Sequence, residues 1–443
     1  MTRPFGSAML LAGSLAALAT RGAAQDTTHA VDQGVRVGFD YAPGTQPGLV
    51  VLPASGLDSA RAIVERDLDY SDRFQIVQIG SASGVGGRGG SESGGISYGI
   101  YKALGAEFGV ELTAAAGGGV TVRLHNVTAG KVQNQQNFSL PAPADASYRL
   151  EVHRIADEVA RWATGTPGVA ASRVLFVSGG RVYVMDSDGE AITPLTPADQ
   201  TSLSPAWSPD GQRFAYTVLG GGRGGVTVQT LGGGAALQVP GTNTGLNITP
   251  AFSPDGRFLA YAHSDENGTD IYLANIADRC CAQRLTVGRY ADNLSPTFSP
   301  DGRRLAFVST RAGPPQIYVM AADGTDQELL APFDYGATGA SNAPEWSPDG
   351  ANVVFHREVS GSPQLFLVDV ASRRVRQLTS SGRNEDPTWA PDGRHITFVS
   401  DRSGARQLWV IDIETGRVRQ LKSPGAARLP AWSRRLSRTA VAP

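Results

Sequence analysis

One short motif in the chain could hold a catalytic nucleophile. Gly95-Ile96-Ser97-Tyr98-Gly99 matches the G-x-S-x-G pattern, which places a serine on a sharp turn between a buried strand and a helix of a large α/β sheet. Here the pattern directly follows a Gly/Ser-rich run, residues 80–95, within a region smaller than a typical hydrolase domain. We therefore expect no catalytic role for Ser97. Two glycine triplets with G-x-G-x-x-G spacing, beginning at Gly84 and Gly220, lack an acidic residue downstream and are expected to be loops.

Metal-binding residues are not grouped in the sequence. The six histidines show no ligand spacing, so we expect scattered polar surface residues, and no metal or other cofactor: His29, His125, His153, His263, His356 and His395. Five aspartates lie between a proline and a glycine and could form a ring around a cation, but that setting is typical of turns: Asp210, Asp255, Asp301, Asp349 and Asp392. The two cysteines, Cys280 and Cys281, are adjacent. We expect no structural role for them, with a vicinal disulfide or a reactive surface pair as alternatives.

A sequence motif is repeated through the second part of the chain. An aromatic residue, then Ser or Ala, then Pro-Asp-Gly occurs five times, with aromatics at Trp207, Phe252, Phe298, Trp346 and Trp389. A sixth, truncated copy is Trp432-Ser433. The aromatics are 45, 46, 48, 43 and 43 residues apart. This period fits four short strands, the unit of a β-propeller blade, and Pro-Asp-Gly suits the turn between two of them.

The two ends of the repeat region complement each other. Residues 173–178 and 181–185 are predicted strands without a preceding aromatic strand, whereas residues 429–433 are an aromatic strand with no strand after it. Together they complete one blade. We therefore predict a mainly β protein with a six-bladed propeller closed by the C-terminal strand, an arrangement that leaves no exposed sheet edge at the ring closure.

The remaining residues predict two further segments. Residues 1–24 resemble a cleaved signal peptide, with Arg3, an apolar stretch at 8–20 and small residues ending near Ala24. Residues 25–166 predict an α/β domain with amphipathic helices at 57–70 and 148–163, and residues 167–443 form the propeller. The net charge is −2 without blocks of like charge, so we expect no nucleic-acid binding. No segment after residue 24 is apolar enough to cross a membrane, so we expect no membrane insertion.

Polar residues gather just before each aromatic strand. Propellers bind partners through the loops that lead into the innermost strands, so these residues are candidates for a partner-binding surface, with plain solvated loops as the alternative. The candidates are Leu246, Asn247, Thr249, Asp292, Asn293, Ser295, Asn342, Glu385 and Asp386.

Several motifs resemble the TolB family, over nearly the whole mature chain. They include Val50-Val51-Leu52-Pro53, Asp157-Glu158-Val159, the link 164–169 and the Pro430-Ala431-Trp432-Ser433 finish. The resemblance implies a periplasmic, non-enzymatic component of the Tol-Pal system, a monomer within a larger envelope complex. It implies binding of the lipoprotein Pal by the propeller and of TolA by the N-terminal region, and a role in outer-membrane integrity and in invagination at cell division. By position, Leu246, Asn247, Thr249, Asn293 and Ser295 resemble the Pal-facing loops.

The chain also departs from that family. It inserts residues 25–33 before its first strand, and its glycine-rich runs at 80–95 and 220–225 look expanded. Two other functions stay open from the sequence: a propeller-bearing hydrolase or lyase, and an exported propeller that binds a different envelope protein. Against the first, only residues 434–443 follow the last strand, and the histidines suggest no acid/base site.

Overall fold

The computed structural model describes residues 46–79, 96–115, 118–220, 223–239, 245–278, 281–288, 291–333 and 339–437. The expected signal peptide, the glycine-rich run 80–95 and Cys280 lie outside these residues. Cys281 is disulfide-bonded, so of the alternatives for the cysteine pair the structure supports the disulfide. Within the described residues, no helix is both long enough and apolar enough to cross a membrane.

The first part of the chain, residues 46–166, forms a sheet with helices and is called the α/β unit below. Its elements are β1 (Gly48–Val51), α1 (Asp58–Tyr70), β2 (Gln75–Ile76), α2 (Tyr98–Ala103), β3 (Phe108–Ala115), β4 (Gly119–Asn126), β5 (Lys131–Ser139) and α3 (Tyr148–Thr164). The strand order is β2-β1-β3-β4-β5. β1 pairs in parallel with β2 and β3, and β3, β4 and β5 are antiparallel.

Helices α1 and α3 lie where the apolar spacing predicts them. On α3, Val152, Ile155 and Val159 recur at intervals of three and four residues, so they share one face of the helix. That face packs against α1 and the sheet in one buried cluster. α3 ends at Gly165, whose φ of 81° is a left-handed C-cap that a residue with a side chain adopts only with strain.

The second part of the chain is built of short antiparallel strands. They are β6 (Arg173–Ser178), β7 (Arg181–Asp186), β8 (Thr193–Pro194), β9 (Thr201–Trp207), β10 (Arg213–Gly220), β11 (Arg223–Thr230), β12 (Leu237–Gln238), β13 (Leu246–Phe252), β14 (Phe258–Asp265), β15 (Gly268–Asn275), β16 (Gln283–Arg284), β17 (Asn293–Phe298), β18 (Arg304–Ser309), β19 (Gln316–Ala321), β20 (Glu328–Leu329), β21 (Ser341–Trp346), β22 (Asn352–Val359), β23 (Ser362–Asp369), β24 (Val375–Gln377), β25 (Asn384–Trp389), β26 (His395–Ser403), β27 (Ala405–Asp412), β28 (Val418–Leu421) and β29 (Ala427–Trp432).

These strands pair as the repeat predicts. β17–β20, β21–β24 and β25–β28 are four-stranded sheets, and β9–β16 form one larger sheet in which β11 and β13 are joined by a single parallel pair, Gly224 with Leu246. The fourth four-stranded sheet has the order β29-β6-β7-β8. In it the last strand pairs antiparallel with the first strand after the linker, with Trp432 opposite Val174. The C-terminal strand thus joins the N-terminal strands, as the two incomplete ends of the repeat predict.

The repeated aromatics pack between neighbouring sheets. Trp346 of β21 is buried with Ala306 and Val308 of β18 and with Phe355 of its own sheet. Trp432 likewise joins a cluster that contains Phe176 and Val410 from two sheets. Each aromatic therefore contributes a large apolar contact between two sheets, which explains why the repeat needs a ring at this position.

The repeated aspartates have the predicted role in turns. Asp210 accepts hydrogen bonds from the Ser208 hydroxyl and from the backbone N–H of Gln212, and Asp255, Asp301 and Asp349 repeat this pattern. Asp392 differs, because Ala390 replaces the serine. Its second carboxylate oxygen lies 2.7 Å from Nδ1 of His395.

Candidate functional site

Each aromatic strand contains a bulge at an equivalent position. A non-glycine residue there has φ between 48° and 52°: Ser204, Thr249, Ser295, Ala343, Asp386 and Leu429. The strand register shifts at the same places. Such a backbone costs on the order of 1 kcal/mol per residue, so the bulge is a feature that the surrounding sheet must enforce. A proline follows each of these residues, two positions before the aromatic. The repeated motif therefore begins with the bulge residue and this proline, ahead of the aromatic residue.

The bulges line a central channel. Its volume is ≈ 830 Å³, and it is lined by the bulge residues, the prolines that follow them and the prolines of the Pro-Asp-Gly turns. We call the end where the aromatic strands begin the loop face, and the end with the Pro-Asp-Gly turns the turn face. Arg434 and Arg435 line the channel at the turn face.

The predicted site residues divide into three groups. Thr249, Ser295 and Asp386 line the channel. Leu246 and Asp292 are exposed at the loop face, where Asn342 and Glu385 are partly exposed. Asn247 and Asn293 are buried. None of the nine lies in a loop except Asp292, because the aromatic strands begin earlier than expected.

The burial of Asn293 contradicts its prediction as a partner-binding residue. Its side chain is 0% exposed, and its Nδ2 lies 3.0 Å from a carboxylate oxygen of Asp270 in the neighbouring sheet. Its Oδ1 accepts hydrogen bonds from Ser309 and Arg311 of its own sheet. Asn293 therefore joins two sheets and is not available to a partner. Asn247 is 8% exposed, and its Oδ1 lies 2.7 Å from Nδ1 of His263.

Glu345, which the sequence analysis did not select, lies in the channel wall on β21. Burial raises the pKa of this carboxyl to about 8, although hydrogen bonds from the Thr388 side chain and the Trp389 backbone act in the opposite direction. The signal was present in the sequence: the residue between the bulge proline and the aromatic is Ala or Thr in the other repeats and charged in this one.

The expectation of scattered surface histidines is wrong. Four of them are buried, each with no more than 4% of its surface exposed: His125, His153, His263 and His395. His153 and His395 are deepest and lie where the α/β unit meets the turn face. His153 on α3 has Nδ1 2.7 Å from Asp67 of α1 and Nε2 3.4 Å from Asp186 of β7. His395 on β26 has Nδ1 2.7 Å from Asp392 and Nε2 3.1 Å from Asp72 of the α/β unit.

Arginine–carboxylate pairs surround both histidines. Arg149 of α3 lies 2.9 Å from Asp186 and 2.6 Å from Asp188. Arg417, next to β28, lies 2.9 Å from both Asp69 and Asp72. A cation of α3 thus meets anions at the end of β7, while anions at the end of α1 and just after it meet a cation beside β28. This complementary arrangement of charges favours one orientation of the α/β unit on the turn face.

Two of these groups have a geometry that could hold a metal ion. They are Asp67, His153 and Asp188, and Asp72, His395 and Asp412. In both groups the histidine nitrogens already face carboxylates, and Asp188 and Asp412 pair with arginines. A cation there would compete with charges that the protein itself supplies, so the expectation of no metal stays our prediction.

Among the described residues, those around Ser97 do not form a nucleophile elbow. Ser97 precedes α2, which has six residues, whereas an elbow serine starts a long helix at the edge of a large sheet. The next residue, Tyr98, has its hydroxyl 3.0 Å from Nδ1 of His125, and Nε2 of His125 lies 3.4 Å from Glu111. This chain of contacts holds α2 against β3 and β4.

Known proteins match this architecture. Residues 161–337 and 333–441 match the family described as the TolB beta propeller domain. A Tol-Pal system protein TolB from Methylococcus capsulatus is 34% identical over 198 residues, 42% of this chain and 46% of the relative. A protein TolB homolog from Chlorobium chlorochromatii is 32% identical over 267 residues, 56% of this chain and 54% of the relative. The chain thus spans about half the length of these curated relatives. The crystal structure of TolB from Acinetobacter baumannii aligns with a TM-score of 0.75 over 90% of this chain and 99% of that one, at 24% identity, which shows a shared fold.

Proposed function

Because the chain belongs to the TolB beta-propeller family, we propose that it is a non-enzymatic periplasmic component of a Tol-Pal system. Residues 1–24 are the signal peptide, 25–166 the α/β domain and 167–443 the propeller. The propeller binds the lipoprotein Pal, and the N-terminal region binds TolA. The protein acts as a monomer within this complex, without a cofactor, to maintain the outer membrane and draw it inward at cell division. The family match and the Tol-Pal names of the relatives support this proposal.

The propeller in this proposal has six blades. The sheet that contains β9–β16 is held together at one residue pair, Gly224 with Leu246, so we count it as two blades. The bulge with a left-handed residue also recurs six times, once in each aromatic strand. The β29-β6 pairing then closes the ring as the sixth blade.

The distribution of contacts over the two faces carries the proposal. The polar contacts between the α/β unit and the propeller strands lie at the turn face, at Asp186, Asp188, His395 and Arg417. The loop face instead carries exposed apolar side chains: Leu246 at 37%, Val287 at 79% and Val359 at 36% exposure. Exposed apolar residues among polar ones are typical of a protein-binding surface.

A pair of matched variants tests the Pal-binding face. Leu246 and Ile192 are apolar and equally exposed, at 37% and 36%, but Ile192 lies between β7 and β8 at the turn face. We expect Leu246→Asp to weaken binding of the soluble Pal domain at least about tenfold in calorimetry, since a buried charge at an interface costs more than about 1.4 kcal/mol. Ile192→Asp is expected to bind within about twofold of the unchanged protein. Equal binding by both variants places Pal elsewhere.

The other two parts of the proposal have separate tests. Deletion of residues 25–45, which all lie before the first described strand, is expected to abolish TolA binding and leave Pal binding unchanged, whereas retained TolA binding would move that contact away from the N-terminal region. A fluorophosphonate probe is expected to leave Ser97 unlabelled. Labelling that Ser97→Ala removes would support the hydrolase alternative.

A further inference from the structure

The two buried histidines have the same arrangement from opposite sides of one interface. His153 belongs to the α/β unit and reaches Asp186 of the propeller strands, while His395 belongs to the propeller strands and reaches Asp72 of the α/β unit. Each also has a carboxylate of its own side, Asp67 or Asp392, at 2.7 Å. Each imidazole therefore lies between one carboxylate from each unit. When both ring nitrogens are protonated, the imidazolium donates a hydrogen bond to each of the two carboxylates. When only one nitrogen is protonated, the imidazole donates to one carboxylate and the other loses its donor.

Charged groups surround each histidine on every element that packs against it. Around His153 they come from α1, α3, β6, β7 and the turn after β7: Arg66, Asp67, Arg149, Arg173, Asp186 and Asp188. Around His395 they come from the loop after α1, the Pro-Asp-Gly turn and the residue that follows it, the end of β27 and the segment between β27 and β28: Asp72, Arg73, Asp392, Arg394, Asp412, Glu414 and Arg417. Both sets contain more than one carboxylate, so a positive imidazolium reduces repulsion within the set.

The polar contacts of this interface are incomplete. Nine buried side-chain nitrogen or oxygen atoms in the described residues have no hydrogen-bond partner, and five of them belong to Arg66, Asp67, Arg73 and Arg419 at this interface. A buried polar network with unpaired members is less stable than a fully paired one or an apolar contact. The apolar contacts that span both units lie beside the linker: Leu150 packs with Ala171 and Leu436, and Ala170 packs with the core of the α/β unit. Away from the linker, ion pairs and hydrogen bonds supply the polar attachment between the units.

We propose that His153 and His395, with Asp67, Asp72, Asp186 and Asp392, form an ionic latch that holds the α/β unit on the turn face only while both imidazoles are protonated. When an imidazole loses its proton, the latch opens and the α/β unit pivots away at the linker, with both units still folded. The latch is independent of the Tol-Pal role proposed above, because it requires neither Pal nor TolA.

The titration of the histidines agrees with this geometry. Burial alone would lower the pKa of His153, but Asp67 and Asp186 raise it to about 10, and Asp392 and Asp72 raise that of His395 to about 9 against the same effect of burial. Both values are raised above the 6.5 of a free imidazole. The stabilisation is therefore fully present below pH 6.5 and is lost as the pH rises through about 9 to 10. The latch is closed at neutral pH.

Small-angle X-ray scattering of the full mature protein, with far-UV circular dichroism of the same samples, tests the latch. We expect a compact particle at pH 7 whose radius of gyration increases between pH 9 and 10 without loss of circular dichroism. The variant His153→Gln/His395→Gln is expected to show the larger radius already at pH 7, because glutamine carries no charge and cannot donate to both carboxylates. Its radius is expected not to change further between pH 8 and 10.

His125→Gln is the matched control, since His125 is buried within the α/β unit and contacts Tyr98 and Glu111 there. It is expected to keep the compact radius at pH 7 and the transition of the unchanged protein. Three results overturn the proposal: a compact double variant at pH 7, a radius of the unchanged protein that stays constant up to about pH 10.5, or an increase in radius that coincides with loss of circular dichroism.

Discussion

Replacement of Glu345 by glutamine is expected to stabilise the folded protein, increasingly so as the pH rises. Glu345 lies in the channel wall, where burial raises the pKa of its carboxyl to about 8 from the ordinary value of 4.5. Folding therefore takes up a proton at this position, so the group favours the folded state at low pH and penalises it above pH 4.5. Glutamine has almost the same shape, still accepts hydrogen bonds from Thr388 and Trp389, and carries no charge at any pH.

The size of the effect follows from the two pKa values. At about 1.4 kcal/mol per pH unit, the interval from 4.5 to pH 7 corresponds to a penalty of up to about 3 kcal/mol in the free energy of unfolding. Below pH 5 the penalty is under about 1 kcal/mol, and above pH 8 it no longer grows. Screening by solvent reduces these figures without changing their sign.

Urea unfolding at pH 5, 7 and 9, followed by tryptophan fluorescence, measures this difference. The gap between Glu345→Gln and the unchanged protein is expected to widen from pH 5 to pH 9. Glu358→Gln is the matched control, since Glu358 is an exposed glutamate on the adjacent strand, and it is expected to shift stability by less than about 0.5 kcal/mol at each pH. A difference that is independent of pH, or a variant less stable than the unchanged protein at pH 9, refutes the reasoning.

Three further substitutions test how the sheets are held together. Asn293→Ala removes one partner from several buried hydrogen bonds and is expected to cost about 2–4 kcal/mol of unfolding free energy, against less than about 0.5 kcal/mol for the partly exposed Asn342→Ala. Gly211→Ala is expected to cost about 1–3 kcal/mol, because Gly211 has φ 68° and an added Cβ would meet the side chain of Leu436. Trp432→Ala is expected to cost about 3–5 kcal/mol, since it leaves a cavity where the last strand joins the first.

Urea unfolding measures all three, and each has a result that contradicts it. Equal stability of Asn293→Ala and Asn342→Ala would mean that Asn293 is not a link between sheets. For Gly211→Ala, the combined variant with Leu436→Ala is expected to recover part of the loss, so an unchanged deficit would leave only backbone strain as its cause. An unfolding free energy of Trp432→Ala within about 1 kcal/mol of the unchanged protein would show that the C-terminal strand contributes little to closure.

Local turn chemistry made the strand arrangement predictable. Pro209-Asp210-Gly211 and its copies form tight turns through contacts within five residues, such as those from Ser208 and Gln212 to Asp210. Such short-range contacts form wherever the motif occurs, so the spacing of the motif predicts the length of one blade. The truncated last copy predicts the pairing of β29 with β6. The bulge prolines also stand within two residues of the aromatic, so the bulges were predictable from the same repeat.

The candidate site was less predictable, because burial of a polar residue depends on distant partners. Asn293 and Asp292 are adjacent and both polar, yet one is fully buried and the other exposed. What distinguishes them is the position of Asp270, in a neighbouring sheet. The histidines show the same limit: His153 meets Asp67 across 86 residues of sequence, and His395 meets Asp72 across 323. No spacing rule covers such distances, so the sequence suggested surface residues instead.

The truncated sixth copy of the repeat connects the closure of the ring to the α/β unit. Where the other copies continue with Pro-Asp-Gly, this one continues with Arg434-Arg435-Leu436. Arg435 donates to the backbone oxygen of Gly168 and lies 3.4 Å from Asp157 of α3, while the backbone N–H of Leu436 donates to Ala171. A Pro-Asp-Gly turn would offer neither the guanidinium nor the apolar side chain for these contacts. Because Arg435 and Leu436 replace the Pro-Asp-Gly turn here, the segment after the C-terminal strand contacts α3 and the linker. The strand that closes the ring is therefore also attached to the α/β unit.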